Sequence, residues 1–598
     1  MSTTETPKKV DHSTDAGTMS AMVLDAAERF DGMAVRYSDA GSWRDVSYRE
    51  LGTIVREIGR GLIALGIEPG ERVAILSQTR PEWTYADFGA LCAGAVSVPV
   101  YQTNSPDECH YVLEHADARL VFCEDAEQLA KVEEVRDRLP ELRHVVAFTE
   151  ARDPAISLDE LRARGREVPE GQLEERARAV TPDDTYTIIY TSGTTGPPKG
   201  CILTHGNCRE NVSQVEEAIE FKDDPTFYVF LPLAHVLTRV VQMLAIDAGA
   251  TLAYWQRDMK KVVEDLAATN PTHLPSVPRV FEKIYTQANA AEGPKRKILQ
   301  WAVGVGRRVR EAEGDGRDPG ALLKAQHALA DRLALSKIRS LFGSRMRLAL
   351  SGAAPIDPEI LRFFHAAGVP VLEGYGMTET SAVASVNTLE AFKFGTVGRP
   401  IPRCEIRVAD DGEVLMRGAN IFQGYYKNEE ATRETLVDGW LHSGDLGEID
   451  DEGYLKITGR KKDLIITSSG KNVTPSNIEN ALKQNRWISQ AVVAGDQRSY
   501  LVALLTLDAD EAPKLAEKVG AEADPAKLAN HDGARAEIQG VVDEVNRRFA
   551  RIEQIKRFAI LDRDLSQEEG ELTPTMKVKR NIVYEQHSAV FDRLYDGA

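Results

Sequence analysis

The sequence predicts an α/β protein with a large N-terminal unit of mostly parallel sheet and a small α+β unit at the C-terminal end. Three observations carry this. Short β-branched strands alternate with helical patterns from about Met19 onward, the signature of parallel sheets with crossover helices. A chain of 598 residues exceeds one ordinary domain. Three basic residues after a glycine, Gly459-Arg460-Lys461-Lys462-Asp463, interrupt the pattern before it restarts in the last 135 or so residues.

Composition bounds the function. Hydrophobic content of 42% and charged content of 28% are ordinary for a globular protein. With 73 basic and 92 acidic residues the net charge is −19, which argues against general nucleic-acid binding. The six cysteines show no C-x-x-C pair and no zinc spacing. They read as reduced thiols of a cytoplasmic protein. No apolar run is long enough to span a bilayer. Residues 1–18 read as a polar, disordered tail.

In chain order, Tyr48 to Leu65 reads as a helix stopped by Gly66 and Pro69-Gly70. Arg72–Leu76 is a strand, Trp83–Ala93 a helix and Ala95–Val100 a strand. Short strands follow at Leu120–Phe122 and His144–Phe148, and the charged residues 151–180 read as a surface connection. The strand Thr185–Tyr190 then runs into Thr191-Ser192-Gly193-Thr194-Thr195-Gly196-Pro197-Pro198-Lys199-Gly200. Glycines let backbone approach a ligand closely. Free N–H groups, hydroxyls and a lysine make an anion cradle. The loop is for phosphates, yet it is not a Walker loop, because no hydroxyl follows Lys199 to hold a metal ion.

Thr204 is placed to cap a helix. Thr226 to His235 reads as a buried strand ending at a histidine, and strand ends are where ligands gather in open α/β sheets. Residues 288–345 read as a helical insertion. Between 295 and 339 it carries eleven basic and five acidic residues, a local excess of six positive charges. The plainer reading is a solvated hairpin; the sharper one is a surface for anionic lipid or for the acidic groups of a nucleotide-bearing substrate.

Further on, Arg347–Ser351 is a strand ending in Gly352-Ala353-Ala354, small enough to admit a flat ring. Glu373-Gly374-Tyr375-Gly376-Met377-Thr378-Glu379 offers glycines, an aromatic face and a carboxylate suited to Mg²⁺. Asp445, in Trp440-Leu441-His442-Ser443-Gly444-Asp445, can accept both hydroxyls of a ribose. In the last unit, strands are expected at 491–494, 501–505 and 558–561 and a helix at 542–554. Lys577 stands in a Pro/Thr loop that on its own reads as surface.

Together these motifs resemble, in order and spacing, the adenylate-forming superfamily of acyl-CoA synthetases, luciferases and peptide-synthetase adenylation domains. The match runs from about Val23 to Tyr584. Within it the chain looks most like a bacterial long-chain fatty acyl-CoA synthetase. That likeness rests on the stretch Asp438–Asp445, on Pro278-Arg279-Val280-Phe281-Glu282-Lys283-Ile284-Tyr285, and on the insertion ending in Ser336-Lys337-Ile338-Arg339.

The resemblance implies a domain of residues 19–459 and a mobile C-terminal domain of residues 460–598 hinged near Lys462. It implies three substrates: a long-chain fatty acid, ATP with Mg²⁺, and coenzyme A. Thr191, Ser192, Gly193, Thr194, Thr195, Gly196 and Lys199 would hold the β- and γ-phosphates, with Thr191 and Glu379 near the metal. Gly352, Ala353, Ala354 and the run from Glu373 to Thr378 would border the adenine. Asp445 and Arg460 would hold the ribose, His235 would sit near the acyl carboxylate, and Lys577 would bridge that carboxylate and the α-phosphate. After rotation, Gly470 would face the CoA channel. A ligase that loads a carrier protein is the runner-up, and a luciferase-like oxygenase a third reading. Monomer and homodimer stay open, as does peripheral contact at the inner face of the membrane.

Overall fold

A computed structural model of the chain describes residues 16–191, 197–221, 224–289, 293–573 and 576–596. Most of the tail expected over residues 1–18 lies outside the described residues, which begin ahead of Met19. Ala16 is buried, and the Thr18 hydroxyl accepts the Ala21 N–H at 3.2 Å to cap the helix Met19–Arg29. The Met19 N–H also donates to Nδ1 of buried His205 at 3.2 Å, tying this start to the helix His205–Ala218.

Two large sheets position everything else. In the first, the strands run in the order Gly424–Tyr425, Lys199–Thr204, Thr185–Thr191, Val96–Val100, Arg72–Leu76, Ala118–Cys123, His144–Ala147 and Ile156–Ser157. Pairing is parallel from Thr185–Thr191 outward to Ile156–Ser157, while Thr185–Thr191 and Lys199–Thr204 form an antiparallel hairpin in which Thr191 faces Lys199. The second sheet has a parallel centre in the order Val371–Tyr375, Leu348–Ser351, His273–Ser276, Thr226–Val229, Thr251–Tyr254 and Met33–Asp39, with antiparallel strands at both edges. An antiparallel five-stranded sheet, containing Glu413–Arg417, Trp440–Ile449 and Leu455–Arg460, follows.

Helix boundaries obey local chemistry. Ser47 and Glu50 form a capping box that starts the helix Tyr48–Ala64, and Thr204 does the same with Asn207. Residues 151–180 are not a surface connection. They hold the helices Leu158–Glu167 and Glu170–Ala179, whose Leu161 and Leu173 are fully buried in the main core. Their high charge hid two buried apolar residues per helix, Leu158 and Leu161 in one and Leu173 and Ala177 in the other, too sparse a stripe to read as amphipathic.

The strand expected over Thr226–His235 ends at Val229. Pro232 cannot donate to a ladder, and the chain turns so that His235 becomes the N-cap of the helix Val236–Asp247.

The last part of the chain has its own sheet. Ile488–Ala494 and Leu501–Leu507 pair antiparallel, and Ile555–Ile560 joins in parallel. Alternation sends Leu501, Ala503 and Leu505 to one apolar layer and Val502 and Leu504 to the other. The helix expected over 542–554 instead spans Asp532–Asn546.

In the insertion, the helices Gly293–Gly314 and Gly320–Ala330 are followed by a π-helical turn, Asp331–Leu335, and the short helix Ser336–Ser340. Its inner face buries Leu299, Ala302, Val305, Leu335 and Ile338 with Phe281, Phe342 and Phe364.

Candidate functional site

The site forms where the strand ends of both large sheets meet the five-stranded sheet. The hairpin after Thr185–Thr191 supplies the phosphate loop; Ser192, Gly193, Thr194, Thr195 and Gly196 lie outside the described residues. The Thr191 Oγ1 donates to the Lys199 carbonyl at 3.4 Å. On the loop's exit, Tyr111 Oη donates to the Pro198 carbonyl at 2.9 Å, bracing it against the helix Pro106–His115. Lys199 Nζ sits 4.9 Å from the centre of the Tyr425 ring.

Tyr425 was not legible as a site residue. It lies on a two-residue edge strand that pairs with Cys201, and its hydroxyl donates to Glu379 Oε1 at 2.7 Å. Burial and the Glu379 charge push the phenol far up, so it stays a donor. Glu379 itself is buried on a 3₁₀ turn, Thr378–Thr380.

The opposite wall is built from Gly352, Ala353 and Ala354 just past Leu348–Ser351, and from the end of Val371–Tyr375. Ala353 holds φ +68°, and Ala353 and Ala354 are exposed to the cleft. A Cβ at Gly376 would lie 1.8 Å from the Ala382 carbonyl oxygen, so the turn through Met377 and Thr378 admits no larger residue there. Glu373 is buried. Its carboxyl takes the N–H groups of Ile356 and Gly395, yet burial dominates and pushes it up to about 8. One of its oxygens, Oε2, has no partner among the described residues. This carboxyl braces the loop after Gly352, because Ile356 belongs to that loop.

Three polar side chains close the next side. Tyr375 Oη donates to Asp445 Oδ2 at 2.7 Å, and Arg460 Nε donates to Asp445 Oδ1 at 3.1 Å. Asp445 is buried at the centre of Trp440–Ile449, directly opposite Arg460 in the neighbouring strand. Both its oxygens are thus held from flanking elements.

Lys577 arrives from the C-terminal part on a tight turn, where the Thr573 N–H donates to the Lys577 carbonyl at 2.8 Å. The partner residues Pro574 and Thr575 lie outside the described residues. Burial and the Arg460 guanidinium push its ammonium down to about 8, opposed by Asp445 and Glu379. His235 is pushed down to about 3 by burial and then by the Lys577 charge. Its Nδ1 accepts the Leu237 N–H at 3.3 Å, so it is a neutral acceptor that caps its helix.

Lys577, Arg460, Asp445, Glu379 and His235 therefore share one electrostatic environment. Lys462 and Gly470 do not join it. Lys462 is exposed in the 3₁₀ turn Lys461–Asp463, and Gly470 is exposed with φ +75° in the turn between Ile465–Ile466 and Asn472–Val473. Among the described residues no group of three His, Cys, Asp or Glu side chains could hold a metal ion. One buried carboxylate beside a phosphate loop suits a hard cation that brings phosphate oxygens with it.

The six cysteines are all free and buried. Among the described residues, no helix is long and apolar enough to cross a membrane.

Comparison with known proteins agrees with this geometry. A family model described as AMP-binding enzyme matches residues 24–426, and one described as AMP-binding enzyme C-terminal domain matches residues 462–598. The long-chain-fatty-acid–CoA ligase FadD15 of Mycobacterium bovis is 40% identical over 562 residues, 93% of each chain. The peroxisomal long chain acyl-CoA synthetase 6 of Arabidopsis thaliana is 34% identical, covering 93% of this chain and 82% of its own. Among solved structures, the adenylation domain of a carboxylate reductase from Mycobacterium chelonae superposes with a TM-score of 0.77 at 23% identity, over 98% of this chain and 92% of its own. With a matching model over most of its length and relatives of this identity, the chain belongs to the AMP-binding enzyme family.

Proposed function

We infer that the protein is a long-chain fatty acid–CoA ligase. It activates the acid with ATP to acyl-AMP and pyrophosphate, then transfers the acyl group to coenzyme A, releasing AMP. The observation that carries this reading is the meeting of Lys577 with Arg460, Asp445 and Glu379 beside His235. A mobile cation aimed at a nucleotide pocket next to a neutral histidine is the arrangement that attack of a carboxylate on an α-phosphate requires. The 40% identity to FadD15 supports the long-chain substrate.

In this mechanism Asp445 accepts the ribose hydroxyls while Tyr375 and Arg460 hold its carboxylate in place. Gly352, Ala353, Ala354 and Tyr375 border the adenine, with Gly374, Gly376, Met377 and Thr378 completing that wall. Thr191, the loop Ser192–Gly196 and Lys199 bind the departing phosphates. Glu379 and Thr191 would hold Mg²⁺, which would offset the charge on those phosphates. His235 receives the acyl carboxylate as a neutral neighbour, so it adds no competing charge. The Lys577 ammonium lies between carboxylate and α-phosphate and offsets the negative charge that builds there.

The second step needs Lys577 to leave and a thiol to enter. We place the boundary of the two domains at residues 459 and 460, with the insertion at 288–345 and the hinge at Lys462. The present arrangement is held by ion pairs on the surface, Arg279 with Asp508 at 2.8 Å and Lys283 with Asp510 at 2.7 Å. Exposed pairs of this kind contribute roughly 0.2–1 kcal/mol each, weak enough to exchange during turnover. Rotation about Lys462 would carry Ser468-Ser469-Gly470 to the CoA entrance, where a glycine leaves room for the pantetheine arm.

The test is pyrophosphate release over a ladder of fatty acids, with and without CoA, with products identified by mass. Steady turnover to acyl-CoA with long acids is the expected result. Acyl-AMP that CoA neither discharges nor becomes acylated by would move the protein to the carrier-protein ligases.

A further inference from the structure

The turn that carries Lys577 closes on itself with few bonds. The Thr573 hydroxyl accepts the Lys577 N–H at 3.0 Å, and Leu572 and Val578 form an antiparallel bridge. A lone hairpin of this size is marginally stable in water. Its two arms are held by side chains from elsewhere. On the entering arm stands Glu571, fully buried and one residue ahead of the bridge. Arg563 donates to both of its carboxylate oxygens, at 2.6 and 2.9 Å. The Ser566 N–H adds a bond at 3.0 Å and Nε2 of His587 another at 2.8 Å. The Glu571 carbonyl accepts the Lys579 N–H at 2.7 Å, so the same residue holds the leaving arm too.

The leaving arm ends in Arg580. Its guanidinium meets Glu479 as a fork, Nη1 donating to Oε1 at 2.6 Å and Nη2 to Oε2. Glu479 is buried on the helix Pro475–Lys483 and also accepts the Val493 N–H at 2.8 Å, which fixes it to the strand Ile488–Ala494. Nε of the same Arg580 lies 3.8 Å from Oδ2 of Asp463, in the turn that also holds Lys462. One arginine therefore joins the lysine's turn, the body of the C-terminal part and the hinge turn. Plain apolar contacts would close a hairpin base as firmly as buried ion pairs. What a fork between arginine and carboxylate adds is direction, because two parallel bonds fix orientation as well as distance.

Resting on the assignment of Lys577 to acyl-AMP formation, we propose that Glu571 and Arg580 are positioning residues for that step. They hold the two arms of the turn at a fixed place on the C-terminal part, and Arg580 registers the turn against the hinge through Asp463. A cation that offsets charge building in a transition state must sit in place before the reaction, and a misplacement of about 1 Å costs roughly a hundredfold in rate. Binding of ATP and of the acid does not use Lys577, and neither does attack by the thiol. Loss of either clamp therefore falls on one half-reaction.

The test measures single-turnover pyrophosphate release, and thioester formation from supplied acyl-AMP, on the full chain for Arg580→Lys, Arg580→Met, Glu571→Gln and Lys577→Ala. Arg580→Lys keeps the charge and loses the fork. Pyrophosphate release should fall about tenfold in Arg580→Lys and in Glu571→Gln, and toward a hundredfold in Arg580→Met. KM for ATP and for the acid should stay at the wild-type value, and thioester formation should stay within about twofold of it. Circular dichroism reports the fold of each variant; if Arg580→Met does not fold, Arg580→Lys and Glu571→Gln decide. Equal loss of both half-reactions in folded protein, a change in KM alone, or wild-type pyrophosphate release in both conservative variants overturns the proposal. If Lys577→Ala abolishes release while the clamp variants keep it, the reading of Lys577 stands and only the positioning fails. If Lys577→Ala itself keeps release, that reading fails and the positioning with it.

Discussion

Tyr425 donates its hydroxyl to Oε1 of Glu379 at 2.7 Å while its ring carries the Lys199 ammonium 4.9 Å from the centroid. One aromatic residue thus spaces the cation at the exit of the phosphate loop from the buried carboxylate on the facing turn. Tyr425→Phe keeps the ring and removes the donor. A hydrogen bond to a charged group contributes about 1.5–3 kcal/mol, so pyrophosphate release should fall by about tenfold or more. Tyr425→Ala removes the ring as well and should fall further. Steady-state pyrophosphate assays across a Mg²⁺ titration read both.

Lys577 sets a pH dependence. Its ammonium is pushed down from 10.5 to about 8 in this arrangement. The docked form therefore binds fewer protons than the undocked form, and docking gains as pH rises from about 8 toward 10.5. Catalysis needs the charge, so its dependence has the opposite sign. In the free enzyme kcat/KM for ATP should fall as pH rises through about 8, while bound phosphates restore the ammonium and hold kcat to higher pH. Lys577→Ala should abolish pyrophosphate release at every pH yet leave thioester formation from supplied acyl-AMP. Equal loss of both steps would remove Lys577 from its assigned role.

The hinge can be tested apart from the chemistry. Lys462 is exposed in a 3₁₀ turn beside Lys461, which pairs with Asp411 at 2.6 Å. Lys462→Pro restricts that turn and should slow thioester formation more than adenylation, as measured by single-turnover quench. Arg279→Glu should act the other way. It breaks the ion pair with Asp508 and should lower pyrophosphate release about two- to fivefold with thioester formation intact.

Behind the site, Arg239 and Asp87 form a fully buried ion pair at 2.6 Å. Arg239 also donates to Thr187 Oγ1 at 2.6 Å and to the Tyr186 hydroxyl at 2.5 Å, on the strand that leads into the phosphate loop. Its helix is the one that His235 caps. Arg239→Met leaves the Asp87 charge buried without its cation and should cost about 3–5 kcal/mol in urea unfolding. Adding Asp87→Leu should recover part of that loss, because the uncompensated charge is then gone.

A Cβ at Gly376 would meet the Ala382 carbonyl oxygen at 1.8 Å. Gly376→Ala must therefore displace the turn that carries Thr378 and Glu379. Nucleotide affinity measured by calorimetry should fall by about tenfold or more, since close approach of backbone was the reason for glycine there.

Much of this protein is local, and the local part was legible in the chain alone. The strand Arg72–Leu76 appears where expected, as do the helix opening at Tyr48, the cap at Thr204 and the strand that leads into the phosphate loop, whereas the return strand Lys199–Thr204 was not foreseen. Hydrophobic period, capping residues and glycine placement act over a few residues, so spacing reveals them. Lys577 as a site residue was legible only through resemblance, since a Pro/Thr turn carries no chemical mark of its own. Tyr425, Tyr111, Arg239 and His205 were not legible at all. Each acts through a partner far away in sequence, Glu379, Pro198, Asp87 and Met19 respectively. Residue type and spacing determine elements, whereas pairing and burial across the chain are set by which elements pack together, and only the tertiary structure decides that.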